Sequence, residues 1–592
     1  MPEVKVMMSG NEAIARGAWE AGVKVAAAYP GTPSTEIMEN VALYDDIYSE
    51  WSPNEKVALE VVSGASIGGV RALAAMKHVG LNVAADPLMT LAYTGVNGGL
   101  VIISADDPGM HSSQNEQDNR NYAAFARIPL LQPSNSQEAL DMTKAAFDIS
   151  EQYDTPVLVI PTTRICHGKS PVTLSDRVDV PNKPYERTPR KYVMVPANGR
   201  RRHAVVDQRE SKLLELSEAT ELNREIEGSG DIGIITSGVA SQYALEIMPN
   251  AHYLLLGMPW PLPEQKIRKF AAKVKKLIVI EELEPFLEDR IRAMGIEVTG
   301  KALFPRLGEL NPELVRKGLT GVEPTPSPVP KDVTIPMRPP VLCAGCPHRG
   351  LFSILRKHKF IISGDIGCYT LGALPPLSSM DTCICMGASV SGAVGFAKAM
   401  ETGDGRKVVG VLGDSTFLHS GITGLLDIVY NKANVIICIL DNRITAMTGH
   451  QENPATGKTI KGEPTVAVDF EKLARALGIN HVYMVDPFNL EETDAAFKAC
   501  KELDEPSVVV ARRECALIRR KPGFAISIVN QDICTKCGSC LKIGCPAIIK
   551  RDDIIMVDKV MCYGCGVCRQ VCPFDAIEPE DPDKTPFANS LL

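Results

Sequence analysis

Eight of the chain's 17 cysteines fall within 39 residues near its C-terminal end, in two runs of one design. The first is Cys534-x2-Cys537-x2-Cys540-x4-Cys545-Pro546 and the second Cys562-x2-Cys565-x2-Cys568-x3-Cys572-Pro573. The first three cysteines recur at a constant offset of 28 residues, an internal repeat. Three thiolates two residues apart can grip one face of an iron–sulfur cubane, and the fourth ligand then comes from the other run. The spacing predicts two [4Fe–4S] centres, one on Cys534, Cys537, Cys540 and Cys572, the other on Cys545, Cys562, Cys565 and Cys568. The x4 before Cys545, where x3 is usual, adds one residue to a loop and leaves the ligation intact. Zinc rarely takes cysteines this tightly spaced, and a disulfide staple does not suit a cytoplasmic chain. A sparser set comprises Cys343-Ala-Gly-Cys346, Cys368 in Gly364-Asp-Ile-Gly-Cys, and Cys515. On spacing alone it is open between a zinc half-site, a redox pair, a cluster and chance.

A second chemistry is written at two strand ends. KVVGVL (407–412) runs into Gly413-Asp414-Ser415, and NVIICIL (434–440) runs into Asp441-Asn442-Arg443-Ile444. Ligands of α/β sheets gather at the carboxyl ends of strands. A carboxylate, an amide oxygen and a main-chain carbonyl are hard donors of the kind Mg²⁺ takes together with phosphate and water. A glycine beside the aspartate lets backbone approach a diphosphate closely. Either motif alone is also an ordinary strand-ending turn. Together, with Asp414 and Asn442 28 residues apart, they resemble the Gly-Asp-Gly…Asn fingerprint of thiamine diphosphate enzymes, Ser415 replacing the second glycine. The resemblance implies thiamine diphosphate and Mg²⁺, the ion held by Asp414, Asn442 and the carbonyl of Ile444. It also implies a second domain carrying a glutamate that faces the aminopyrimidine. Family members set that glutamate nine residues before a Gly-Ala pair, which selects Glu55 ahead of Gly64-Ala65, with Glu60 the fallback. A glutamate at a helix start is also favoured by the helix dipole alone.

Six features in order extend the likeness over nearly the whole length: YPGTPSTE (29–36), HSSQNEQDNR (111–120), CAGCPHRG (343–350), GDIGCYTLGALPP (364–376), MTGHQENP (447–454) and the ferredoxin-like tail. With them the chain resembles the α subunits of the indolepyruvate:ferredoxin oxidoreductase family, within the 2-oxoacid:ferredoxin oxidoreductases. The resemblance implies a third [4Fe–4S] centre on Cys343, Cys346, Cys368 and Cys515. It implies cofactor contacts from Gly364, Asp365, Gly367, Cys368, Gly387, Gly413, Asp414 and Ser415, and places Thr32 near thiamine and substrate. Arg120 is the candidate for holding the substrate carboxylate through its fork of donors. The implied reaction is oxidative decarboxylation of aryl 2-oxo acids, such as indolepyruvate and phenylpyruvate, to aryl-acetyl-CoA. Electrons would pass to an external ferredoxin, and a smaller β subunit would complete the enzyme. Pyruvate or 2-oxoglutarate is the alternative substrate. A non-oxidative decarboxylase has no use for the clustered cysteines, and an electron-transfer subunit without catalysis has no use for Glu55, Asp414 and Asn442.

These residues need a frame to hold them. Alternating apolar runs and helical stretches across 592 residues read as parallel α/β layers. The fold class expected is a multidomain α/β thiamine diphosphate-binding fold: two doubly wound domains, a transketolase C-terminal-like domain and a C-terminal two-cluster ferredoxin domain. The expected boundaries are 1–185 for the pyrimidine-binding domain, 225–320 for the transketolase-like domain and 323–340 for a Pro-rich linker. The diphosphate-binding domain follows at 341–525 and the ferredoxin domain at 526–592. Residues 55–78 read as one helix, and the polar, Pro-bearing stretch 171–230 includes Arg200-Arg201-Arg202-His203, a basic run that reads as solvated loop with an anion site as the alternative. Hydrophobic residues make up 45% and charged residues 23%, a globular balance. A net charge of −8 excludes a broad electrostatic nucleic-acid binder. No apolar run approaches the ~18 residues of a membrane span, and the N-terminus lacks an apolar signal region, so a cytoplasmic chain is expected.

Overall fold

Leu100–Ala105 (LVIISA) and Ile436–Asp441 (IICILD) are buried at every position, as central strands covered on both faces must be. Each is the middle of a parallel sheet. The structure, a computed structural model, describes residues 4–323, 336, 338–400, 406–518 and 525–580. The chain divides into two compact units at residues 333 and 334. Of the Pro-rich linker expected at 323–340, residues 324–335 and 337 lie outside the described residues.

In the first unit, six parallel strands run in the order Tyr48–Trp51, Val25–Ala28, Ala72–Lys77, Leu100–Ala105, Val157–Val159, Leu130–Leu131. Residues 55–78, read above as one helix, divide in two. Helix Glu55–Ile67 ends at Gly68-Gly69, and the alanine-rich run continues as the central strand Ala72–Lys77. Gly69 has φ +102°, and a Cβ there would stand 1.9 Å from the Lys183 carbonyl oxygen, so only glycine makes this reversal. A second sheet has strands Lys276–Ile280, Ile232–Thr236 and His252–Leu256 in parallel, with Asn223–Ile226 antiparallel at one edge.

The polar stretch before that sheet is not a solvated loop throughout. Pro196–Ala219 is a 24-residue helix with proline in its first turn, rich in Ala, Arg, Glu and Leu, which favour helix. Val206, Arg209, Leu213 and Ser217, three or four residues apart, form its buried face. Arg202 is spent on the carbonyl of Tyr93 at 2.6 Å and on Asp154 at 2.7 Å.

In the second unit, six parallel strands follow the order Thr382–Cys383, Ile361–Gly364, Val408–Gly413, Ile436–Asp441, Ser507–Arg512, His481–Val485. Two antiparallel pairs, Ser527–Val529 with Ile577–Pro579 and Ile548–Arg551 with Ile554–Val557, frame the cysteine runs. This small module is not free-standing within its unit. Ile543, Val567, Tyr563, Cys565 and Cys568 pack into the same core as Val509 of the large sheet and Phe352 and Phe488 beside it.

Candidate active site and cluster sites

In the first unit, Asn54 caps helix Glu55–Ile67 by accepting from the Val57 N–H at 2.9 Å, a contact worth about 1 kcal/mol. Glu55, Ala58, Leu59 and Val62 then share one face, which is buried, and Glu55 is only 4% exposed. Its carboxylate lies over Gly80, where a Cβ would stand 2.5 Å from Oε1. Glu60 sits on the outer face, paired with Lys56. Of the two glutamates, only Glu55 is directed inward.

Thr32 belongs to the same strand-end region. The Ser112 hydroxyl donates to its carbonyl at 3.4 Å, and Lys77 Nζ donates to the Ser112 carbonyl at 2.9 Å. Gly31 closes on the stem of Lys77, its absent Cβ 3.1 Å from Lys77 Cγ. Burial pulls the Lys77 ammonium below its ordinary pKa, against the raising charges of Asp107 and Glu55. Lys77 escaped the sequence reading because it ends an alanine-rich run that looked helical.

Arg120 does not fit the role of a substrate-carboxylate clamp. It is 2% exposed and already engaged. Its Nε and Nη2 donate to Asp118 at 2.9 and 2.6 Å, and Nη1 donates to Glu281 at 2.8 Å. Nη2 also reaches the carbonyls of Glu282 and Glu284, both at 3.0 Å, and the guanidinium lies 5.0 Å from the centre of the Phe286 ring. It pins helix Arg120–Ala126 to the second sheet of its unit.

In the second unit, Gly413 ends its strand opposite Leu440, so Asp414 and Asn442 emerge from adjacent parallel strands at the same edge. Asp414 is 2% exposed; its Oδ1 accepts from the Ser415 N–H at 2.7 Å and its Oδ2 has no hydrogen-bond partner. Burial, then the nearby charge of Asp441, pushes its pKa up to about 8. Asn442 Oδ1 accepts from the Ile444 N–H at 3.2 Å, across Arg443 at φ +61°. An orphaned buried carboxylate oxygen beside an amide oxygen is the donor chemistry Mg²⁺ takes, so these residues fit the ion. Asp441, given no role of its own above, is fully buried and paired with Arg512 at 2.7 Å.

Gly413 and Gly367 also make room for Tyr369. A Cβ on Gly413 would stand 2.9 Å from the Tyr369 ring, and one on Gly367 would stand 2.3 Å from it. Asp365 is wholly buried, and its carboxylate accepts from the N–H groups of Ile366, Gly387 and Ser389 at 2.8 to 3.1 Å. Burial raises it to about 6 despite those bonds. It orders the turn at Gly387, where φ is +86° and a Cβ would strike Ser420 at 2.6 Å.

The cysteines assemble in three groups. Cys534, Cys537, Cys540 and Cys572 line one cavity. Cys545, Cys562, Cys565 and Cys568 line another, so each run lends its fourth cysteine to the other. Burial raises Cys565 to about 12, and the thiols of Cys568, Cys545 and Cys562 add to the shift. The sparse set also converges: Cys346 has Cys368 and Cys343 as near neighbours, and Cys368 has Cys515 and Cys343. Among the described residues no three His, Cys, Asp or Glu side chains form a single-ion site; the two groups of the cysteine runs line cavities instead. Cys438 and Cys500 are fully buried core residues.

Three families match parts of the chain. "Pyruvate flavodoxin/ferredoxin oxidoreductase, thiamine diP-bdg" covers residues 16–227, "Thiamine pyrophosphate enzyme, C-terminal TPP binding domain" covers 365–511, and "4Fe-4S binding domain" covers 555–578. Among curated proteins, "Indolepyruvate oxidoreductase subunit IorA" of Pyrococcus abyssi (strain GE5 / Orsay) is 42% identical, covering 98% of this chain and 97% of that protein. Its namesake in Archaeoglobus fulgidus is 41% identical, covering 97% of each. The "2-oxoglutarate synthase subunit KorA" of Methanothermobacter thermautotrophicus is 27% identical over 51% of this chain and 94% of its own length.

Proposed function

The chain belongs to the indolepyruvate oxidoreductase α subunits, thiamine-dependent enzymes of the 2-oxoacid:ferredoxin type, and from that premise we propose that it oxidatively decarboxylates aryl 2-oxo acids to aryl-acetyl-CoA. Indolepyruvate and phenylpyruvate are the substrates this reading favours. A smaller partner subunit completes the enzyme, and an external ferredoxin takes the electrons. The observation that carries the reading is a contact in the second unit. The main-chain N–H of Cys515 donates to the carbonyl of Asn442 at 3.0 Å, and its thiol lies near Asp414. A redox cysteine set therefore abuts the strand ends offered to a diphosphate and its metal, a juxtaposition that supports oxidative over non-oxidative chemistry.

Asp414, Asn442 and the Ile444 carbonyl would hold Mg²⁺, and the cation would ionise the Asp414 carboxyl that burial otherwise keeps protonated. When bound, thiamine diphosphate supplies the carbon nucleophile and the electron sink for decarboxylation. Glu55 would meet N1′ of the aminopyrimidine and pass a proton there, buried where water cannot compete for its carboxyl. Thr32 and Lys77, beside one another at the strand ends, would orient the polar end of the substrate. Cys343, Cys346, Cys368 and Cys515 would hold an inner [4Fe–4S] centre that collects electrons one at a time. The test is anaerobic viologen reduction by the chain with its partner subunit, offering indolepyruvate, phenylpyruvate, pyruvate and 2-oxoglutarate, each with CoA. The aryl acids should give the highest kcat/KM; equal or greater efficiency on pyruvate or 2-oxoglutarate sinks the aryl assignment.

A further inference from the structure

Arg349 stands three residues beyond Cys346 and is only 4% exposed. Among the described residues it pairs with no carboxylate, although an uncompensated buried cation is costly. Its guanidinium joins two segments that are almost 200 residues apart in sequence. On one side, Nε donates to the carbonyl of Cys343 at 3.0 Å and Nη2 to that of Leu342. On the other, Nη1 donates to the carbonyls of Ile543, at 3.1 Å, and Gly544. Gly544 immediately precedes Cys545. Residues 541–544 are the x4 segment, one residue longer than usual, and its last two carbonyls are the ones Arg349 takes. Gly544 has φ +69°, and a Cβ there would press Pro376 at 2.9 Å and Arg349 Nη1 at 3.2 Å, so the loop closes only as glycine. A second contact runs alongside: a Cβ on Gly345, in the Cys343–Cys346 loop, would stand 2.3 Å from Tyr563 Cβ, between Cys562 and Cys565. Arg349 lines one cavity together with Cys346, Cys545, Cys562, Cys565 and Cys568, which belong to both groups.

We propose that Arg349 is a positioning residue for electron transfer. It clamps the inner cysteine centre to the ferredoxin centre on Cys545, Cys562, Cys565 and Cys568, and supplies the positive charge the two share. The proposal rests on the inner centre assigned in the preceding subsection. One electron leaves the inner centre and one enters the outer, with no bond or proton exchanged. Thiolate-bound clusters are anionic, so the nearby cation both pays for its own burial and favours their reduced states.

The test uses the anaerobic holoenzyme with its partner subunit, as wild type, Arg349→Gln and Arg349→Lys. Iron is counted, each centre's EPR signal is titrated against potential, and substrate-driven reduction of the outer centres is timed. In Arg349→Gln the inner and Cys545-containing centres should fall in potential by about tenfold in their reduced-to-oxidised ratio, about 59 mV for one electron. The centre on Cys534, Cys537, Cys540 and Cys572, which Arg349 does not contact, should keep its midpoint. Arg349→Lys keeps the charge but not the planar fork, so midpoints should return while transfer between the centres stays slowed. Wild-type midpoints in a fully iron-loaded Arg349→Gln, or equal shifts in all three centres, overturn the charge role. Wild-type transfer in Arg349→Lys overturns the clamp, and decides it even if Arg349→Gln loses iron. About eight irons per wild-type chain, in place of about twelve, would remove the inner centre itself and the proposal with it.

Discussion

Arg120→Met takes the cation out of a buried ion network and leaves its partners behind. Arg120, Asp118 and Glu281 have side chains exposed by only 2%, 1% and 2%. Removing one partner of such a pair costs about 3–5 kcal/mol, because the remaining charges stay buried and uncompensated. Glu281 keeps some relief, since its oxygens also accept from the N–H groups of Leu287 and Glu288 at 2.9 to 3.1 Å. Asp118 loses both of its short guanidinium contacts, so the expected loss is about 3 kcal/mol. At about 2–4 °C per kcal/mol for a large domain, the midpoint should fall by about 6–12 °C. Thermal melting followed by circular dichroism, on the chain with its partner subunit, reads this directly. Below the transition, the KM for the 2-oxo acid should stay at its wild-type value, because the guanidinium has its contacts within the fold and not with substrate. An unchanged melt together with a raised KM would refute this reasoning and restore Arg120 to the substrate.

Glu55→Gln should abolish turnover while iron content and melting stay unchanged, and Glu60→Gln should be silent, since Glu60 lies on the outer helix face with Lys56; the reverse pattern in a viologen assay exchanges their roles. Asp414→Asn should lose the stabilisation that Mg²⁺ with thiamine diphosphate gives, about 2.7 kcal/mol at 100 times Kd; melting with and without the cofactor checks this, and full retention removes Asp414 from the metal site. Burial raises Glu282 from 4.5 to about 7, so the folded chain keeps a proton the unfolded chain has released. Its contribution is therefore full below pH 4.5 and is lost as pH rises through 7, at about 1.4 kcal/mol per pH unit. Glu282→Gln should flatten that slope in urea titrations at stepped pH, and an unchanged slope contradicts the assignment.

Ligand spacing and strand ends were legible because they are local. The two cysteine runs announced their crossing by repeat and offset alone, and Gly413-Asp414 and Asn442 followed apolar runs that only a strand explains. Glu55 was set ahead of Glu60 by the family-like spacing to Gly64-Ala65, and the structure adds that Glu55 lies on the buried face of its helix. What failed depended on partners distant in sequence. Arg120 reads as an available fork until Glu281, more than 160 residues away, is seen to occupy it. The run at 72–77 reads as helix because alanine favours helix, yet a central strand walled on both faces also wants small side chains. Helix Pro196–Ala219 hid behind its charge, since most of its turns face solvent. Arg349 followed the CAGCPH string in plain view, but nothing local says that its acceptors lie beside Cys545.

The measurement that bears most directly on this account is substrate-driven bleaching of the iron–sulfur absorbance in Cys343→Ser, taken anaerobically on the complete enzyme. With the inner centre lost, indolepyruvate should no longer bleach the ferredoxin centres, whereas dithionite should still bleach them fully. Bleaching by indolepyruvate at the wild-type rate would contradict the account, because electrons would then reach the ferredoxin module without the cysteine set whose Cys515 lies beside Asn442 and Asp414.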